Sequence, residues 1–136
     1  MSNLLVNARD QLFILFEQLG IEELFKSEKF ADFSKEVVLM MQTEAEKLAV
    51  NVLLPTYPEG DKEGCIFEDG KVSVPAGFHE VFKKYSEAGW ICAVESPDVG
   101  GQGLPIVVAT SCMEFMFAAN FPFLRPCAES AESRRV

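Results

Sequence analysis

The sequence is poor in basic residues, in paired cysteines and in histidine, and each shortage closes off a class of function. Only 12 Lys and Arg stand against 21 Asp and Glu in 136 residues, a formal net charge of −9. A nucleic-acid surface needs clustered cations to neutralise phosphates, and here they are scattered. No block of five like charges occurs, so the acidity reads as a solvated surface rather than an interaction tail. The four cysteines, Cys65, Cys92, Cys112 and Cys127, lie far apart, and His79 is the only histidine. With no CxxC or His-x-His spacing, a metal site has no support. Isolated cysteines in apolar surroundings behave as small core hydrophobes, which suits a reducing, cytoplasmic compartment.

The first residues do not read as a secretory leader either. Arg9 and Asp10 precede the short run "LFILF" and Glu17 comes after it, an order without the basic start and small-residue cleavage site of a signal peptide. The composition present is that of a globular protein, 49% hydrophobic and 24% charged, in a chain long enough for one domain with a real core.

Hydrophobic spacing predicts a bundle of about four helices with one short β-hairpin, a mainly α fold. The first helix runs from Ala8 to Leu19, with Leu12, Phe13, Phe16 and Leu19 on one face, and Gly20 is placed to end it in a left-handed conformation. The second spans about Ser34 to Leu53, with Val37, Met41, Ala45, Leu48 and Val52 inward and Lys35, Gln42, Glu46 and Asn51 pointing elsewhere. Pro55 and Pro58 stop it, and "PEGDKEG" reads as a polar loop. "CIFEDGKVSV" comes next as a hairpin whose turn is Asp69-Gly70, and such a small hairpin is expected to lean on the helices. Pro75 opens the third helix, Phe78, Val81, Phe82 and Tyr85 face inward, Gly89 closes it, and Trp90 serves as an anchor just beyond its end. His79 lies off that face, without a carboxylate or cysteine neighbour, and is expected at the surface.

The last helix is different. From Pro105 to Leu124 the run "PIVVATSCMEFMFAANFPFL" carries one charge, Glu114. It has the length to cross a bilayer, but Glu114, Asn120 and Pro122 argue for a helix buried in protein. Three amphipathic helices and a hairpin can cover only one side of it. The expectation is therefore self-association, or docking on a partner, through helix 105–124.

Gly100, Gly101 and Gly103 precede this helix in "SPDVGGQGLP". Glycines ahead of a helix can cradle a phosphate, but such a loop wants a nearby Lys, and the nearest cation on the helical side is Arg125. The stretch reads instead as a compact corner, with glycines for unusual backbone angles and Pro105 at the first helical turn.

Several of these pieces together resemble a known family. "AGFHEVFKKYSEAGW", then "GGQGLP", then a helix with "VVAT", Glu114 and "AANFPF" is similar to the amino-terminal helical domain of flavin-dependent acyl-CoA dehydrogenases. "GDKEGC" at 60–65, with a hairpin after it, looks like the larger branch of that family, with enzymes similar to 3-methylmercaptopropionyl-CoA dehydrogenase. The resemblance covers approximately Leu4 to Phe123 and gives a domain at 1–123. Two departures stand out. Ser96, Pro97, Asp98 and Val99 replace the family's Pro-acidic-acidic-aromatic order, which predicts a looser corner. After "FPF" a short polar stretch, "LRPCAESAESRRV", takes the place of a Tyr-Pro turn and a fifth helix. Residues 124–136 are thus expected to be a divergent, disordered tail on a truncated chain.

The resemblance implies that a carboxylate base removes an α-proton from an acyl-CoA thioester while the β-hydrogen leaves as hydride to FAD. In the family the base and most of the flavin site lie beyond this domain, whose helices wall the acyl-chain pocket. It implies Phe117, Phe121 and Phe123 at that wall, no catalytic or cofactor-binding residue of this chain's own, FAD in the parent family but not on this chain alone, and acyl-CoA as a ligand only of a full enzyme. Glu114 is read as a structural ion-pair or hydrogen-bond partner, with a Lys or Arg from elsewhere in the full enzyme, since a base works only beside substrate and hydride acceptor. The alternative is a non-catalytic helical module that docks through its last helix. An independent small enzyme is the weakest reading, because no nucleophile–base pair or cofactor fingerprint is visible.

Overall fold

The computed structural model describes the backbone of residues 5–132 and the side chains of residues 5–124. Among the described residues, five α-helical segments and one hairpin occur in chain order: α1 (Ala8–Leu12), α2 (Lys35–Leu48), α3 (Tyr57–Glu63), β1 (Ile66–Glu68), β2 (Lys71–Ser73), α4 (Ala76–Glu87) and α5 (Ile106–Glu132). The expected mainly α plan is present, with α3 added. "PEGDKEG" is helical rather than a loop because Pro58 falls in the first turn, where its missing N–H costs nothing. Of the expected tail, 124–136, the backbone of residues 124–132 belongs to α5, and residues 133–136 lie outside the described residues.

Local rules set most boundaries. Asn7 caps α1 by accepting from the Arg9 N–H at 3.2 Å, and Ser34 caps α2 by accepting from Val37 N–H at 3.3 Å. α1 continues as a wider π turn over Phe13–Gln18 and ends at Gly20, φ 59°. That turn changes the phase of the helix. Gln11 and Leu15 are buried, Leu12 and Phe16 half-buried, while Phe13 and Leu19 of the expected face are exposed. α2 continues as a π turn over Ala49–Leu53 before Pro55. Its buried face is Val38, Gln42, Ala45, Ala49 and Leu53, one position round from the expected stripe, so Gln42 points inward and Val37, Met41, Leu48 and Val52 flank it.

Helix α5 is the spine of the core and packs on α2, on the turn that extends it, and on α3. Val108, Cys112, Phe115, Met116 and Ala119, at helical spacing, are buried against these neighbours. The small Ala45 on α2 and Ala49 in the turn that extends it are fully buried. From α4, Phe78, Val81 and Tyr85 complete this core, whereas Phe82, expected inside, is half-exposed. His79 is exposed, as expected. The described ion pairs all join residues three or four apart on one helix and sit in solvent, so they add little to long-range cohesion.

The hairpin departs from expectation. Its register is Ile66 opposite Ser73, Phe67 opposite Val72 and Glu68 opposite Lys71, with positive φ at Asp69 and Gly70 as the tight turn requires. Yet every strand residue is exposed, Phe67 by 71%, so the hairpin does not lean on the helices.

Candidate functional site: a half-covered helix and its groove

The corner before α5 is where the glycines show their role. Gly100 and Gly103 have φ of 84° and 64°, a region open to glycine and costly for other residues. Five successive N–H groups are used within the chain. Gly100 donates to Pro97 O, Gly101 to Ser96 O, Gln102 to Cys92 O, Gly103 to Glu95 O and Leu104 to Ala93 O, at 2.8–3.3 Å. A phosphate cradle needs those donors turned outward. Here they lace the segment after α4 onto the start of α5, and Pro105, buried, precedes the first helical residue. The corner is structural, held by hydrogen bonds within the chain.

At the other end, α5 breaks. Asn120 has φ −156° and ψ 79°, outside the helical region. Pro122 explains the position, because its ring and missing N–H cannot continue the preceding helix but suit the first turn of a new one. Asn120 serves as the cap of that turn: its Oδ1 accepts from the Phe123 N–H at 3.1 Å. Its Nδ2 donates to Leu53 O and Thr56 Oγ1, so this fully buried amide is satisfied on both sides.

The break parts the three phenylalanines. Phe123 turns into the core, its ring edge-on to Phe78 at 5.5 Å and to Tyr85 at 6.0 Å. Phe117 and Phe121 stay on the outer face, with ring centroids 5.6 Å apart, and Phe121 is 55% exposed. Two of the expected wall residues thus lie together, and the third supports the helix from behind.

Between α1 and α5 runs an open apolar groove of about 930 Å³, floored by Val107, Thr110, Met113 and Phe117 and flanked by Ile14, Leu19, Trp90 and Ile91. Of the 19-residue stretch Ile106–Leu124, long and apolar enough to span a bilayer, 44% is buried within the chain. The described residues cover one side of α5 and leave the other open. Ile106, Thr110, Glu114, Ala118 and Phe121 make the exposed stripe, with half-buried Met113 and Phe117 along its edge.

Glu114 has a hydrogen-bond partner within the chain. Gln11, 5% exposed on α1, donates from Nε2 to Glu114 Oε2 at 2.6 Å and to the Ser111 carbonyl at 3.0 Å. From α2, Gln42 Nε2 donates to Ser111 Oγ at 2.7 Å. Neither glutamine carbonyl oxygen has a hydrogen-bond partner among the described residues. Sequence periodicity misses this polar seam, because it places Gln42 outside and gives Gln11 no part in the core. The signal available is Ser111 and Glu114, one turn apart on an otherwise apolar helix. Cys112, beneath the seam, has its thiol pushed up to about 12 by burial, which keeps it protonated and inert. Among the described residues no group of three or more His, Cys, Asp or Glu is placed to hold a metal ion.

These features define a helical domain whose longest apolar helix is closed on one side and open on the other, and its sequence is similar to acyl-CoA dehydrogenases. Over 122 residues it is 30% identical to the broad-specificity linear acyl-CoA dehydrogenase FadE5 of Mycobacterium tuberculosis, a match covering 88% of this chain and 20% of the relative. Over 72 residues it is 31% identical to 3-methylmercaptopropionyl-CoA dehydrogenase of Ruegeria pomeroyi, covering 53% of this chain and 12% of that protein. The chain therefore spans about a fifth or less of the length of these curated relatives. No protein-family model matches it. The resemblance read from the motifs is borne out by both relatives.

Proposed function

We propose that this chain is the amino-terminal helical domain, or a fragment containing it, of an FAD-dependent acyl-CoA dehydrogenase of the cytoplasm. The observation that carries the reading is the match to FadE5 over 88% of the chain, in a fold whose α5 is left half-covered. In such an enzyme the flavin supplies the hydride acceptor for α,β-dehydrogenation of an acyl-CoA thioester, with the proton taken by a carboxylate outside this domain. The described residues do not fit a flavin pyrophosphate on their own. The glycine corner spends its N–H groups internally, and the groove offers a carboxylate where a phosphate needs cations. The domain's part is to present Phe117 and Phe121 as an apolar, water-excluding wall, with Phe123 fixing their helix from behind. By itself the chain is expected to turn over no substrate.

A chimera tests this. The segment of FadE5 that aligns with this chain is replaced by this chain, and bound flavin and acyl-CoA-dependent dye reduction are measured. The expected result is a folded chimera that retains flavin and reduces dye, while the isolated chain does neither. A folded chimera without flavin, or an isolated chain active with FAD and acyl-CoA, contradicts the proposal.

The open stripe on α5 also supports a second reading, a non-catalytic helical module docking through that face. It is distinguished by a stable complex in which the chain has a partner but no flavin or acyl-CoA accompanies it.

A further inference from the structure

The open face of α5 carries information about its occupant, because an apolar stripe with one carboxylate in its middle does not suit every partner. Glu114 falls eight residues after Ile106 and seven before Phe121, midway along the stripe. A second copy packed antiparallel about a two-fold axis would bring the two Glu114 carboxylates together in apolar surroundings, between two chains of net charge −9. Like charges so placed oppose association. A lipid surface would bury the same carboxylate against hydrocarbon without a counter-charge.

The seam beside it asks for a donor. Gln11 is nine-tenths buried and lines the groove, and both its described donations leave from Nε2, to Ser111 and Glu114. Its carbonyl oxygen has no partner among the described residues, and Glu114 makes no ion pair among them. That carbonyl oxygen is closed to solvent, so the acceptor offered to an occupant is the Glu114 carboxylate. A guanidinium, planar and with five N–H groups, can pair with that carboxylate, and its weak hydration suits a partly apolar site better than an ammonium does.

We infer that the groove between α1 and α5 receives an apolar helical segment, from outside the described residues, that carries one central arginine, whose guanidinium meets Glu114. The inference fixes the chemistry of the occupant and stands whether or not the occupant belongs to a flavoenzyme.

The test uses two synthetic helical peptides of about 18 residues, five turns long, with leucine and alanine on one face and neutral polar residues on the other. They differ only at the centre of the apolar face, arginine in one and norleucine in the other. Trp90 is the only tryptophan of the chain and lines the groove, so its emission reports binding. The arginine peptide is expected to bind about tenfold more tightly or better, the scale of one charge-assisted hydrogen-bonded pair. Glu114→Gln should bring the two peptides within about twofold, and Glu114→Lys should favour a third peptide with a central glutamate. Circular dichroism checks that each variant is folded, and the comparison on the unmodified chain needs no variant. Equal affinities, or a preference that survives E114Q, would overturn the inference. So would a dimer of the chain that excludes both peptides, or uptake by neutral phosphatidylcholine vesicles in preference to either.

Discussion

Asn120 donates to the Leu53 carbonyl at 3.3 Å, so the break in α5 and the end of α2 form one joint, although 67 residues separate them. The same amide reaches Thr56 Oγ1 at 3.1 Å and caps the Phe123 N–H. Asn120→Ala removes all three bonds from a fully buried site and should cost about 2–4 kcal/mol. Asn120→Asp keeps the cap but loses both donations and buries a charge, so it should be at least as damaging at neutral pH. Urea midpoints compare the two. A loss below about 0.5 kcal/mol for Asn120→Ala would show that the joint is incidental.

Gly60 sits inside α3, where alanine normally stabilises a helix by about 1 kcal/mol. Here a Cβ would come within 2.6 Å of Phe78 Cζ, and Phe78 is itself wedged on Phe123. Gly60→Ala is therefore expected to lower stability by about 1–3 kcal/mol, against the helix-propensity trend. The double variant Gly60→Ala, Phe78→Leu should recover part of that loss. Thermal melts of the set decide it.

The corner glycines should separate by mechanism. A Cβ on Gly100 meets open space, so Gly100→Ala costs only its positive φ, roughly 1–2 kcal/mol. On Gly101 a Cβ would fall on the Glu95 carbonyl, which is backbone and cannot swing aside. Gly101→Ala should be clearly the worse of the two. Equal melting temperatures would contradict the contact.

Cys112 gives a pH dependence of known sign. In the folded chain its thiol ionises near 12, whereas its ordinary value is 9.0. Below 9 both states hold the proton and the group is silent. Between 9 and about 12 the unfolded chain loses it first, so stability falls as pH rises, by at most about 1.4 kcal/mol per unit from this group. Cys112→Val should flatten that window relative to the natural sequence, seen as the difference between their urea midpoints at pH 8, 9 and 10. Parallel curves would show that the thiol is less desolvated than its burial implies.

Helix positions, the Asp69-Gly70 turn, the Gly20 and Gly89 stops and the corner at Gly100–Pro105 were legible in the sequence, because each rests on local backbone rules. The inward faces were legible only approximately. A π turn after Leu12 shifts the phase of α1, and a uniform 3.6-residue count cannot anticipate it. Gln11 and Gln42 are buried because Ser111 and Glu114 meet them from residues far away in the chain, a relation no periodicity contains. The helix at Tyr57–Glu63 was hidden by Pro58, whose meaning reverses between a first turn and an interior. For the candidate site, the half-coverage of α5 came from counting the elements available to surround it, whereas the parting of Phe123 from Phe117 and Phe121 depends on the break at Asn120.

The central claim is that the outer face of α5 is shaped to be covered by something else. The most direct measurement is binding of an environment-sensitive apolar dye by the purified chain, compared with Phe117→Ser, Phe121→Ser. The natural sequence should bind dye in its folded state, and the double variant should lose most of that signal with a melting temperature lowered by no more than a few degrees. A folded chain that binds no dye, or a double variant that unfolds as a core variant would, contradicts the claim.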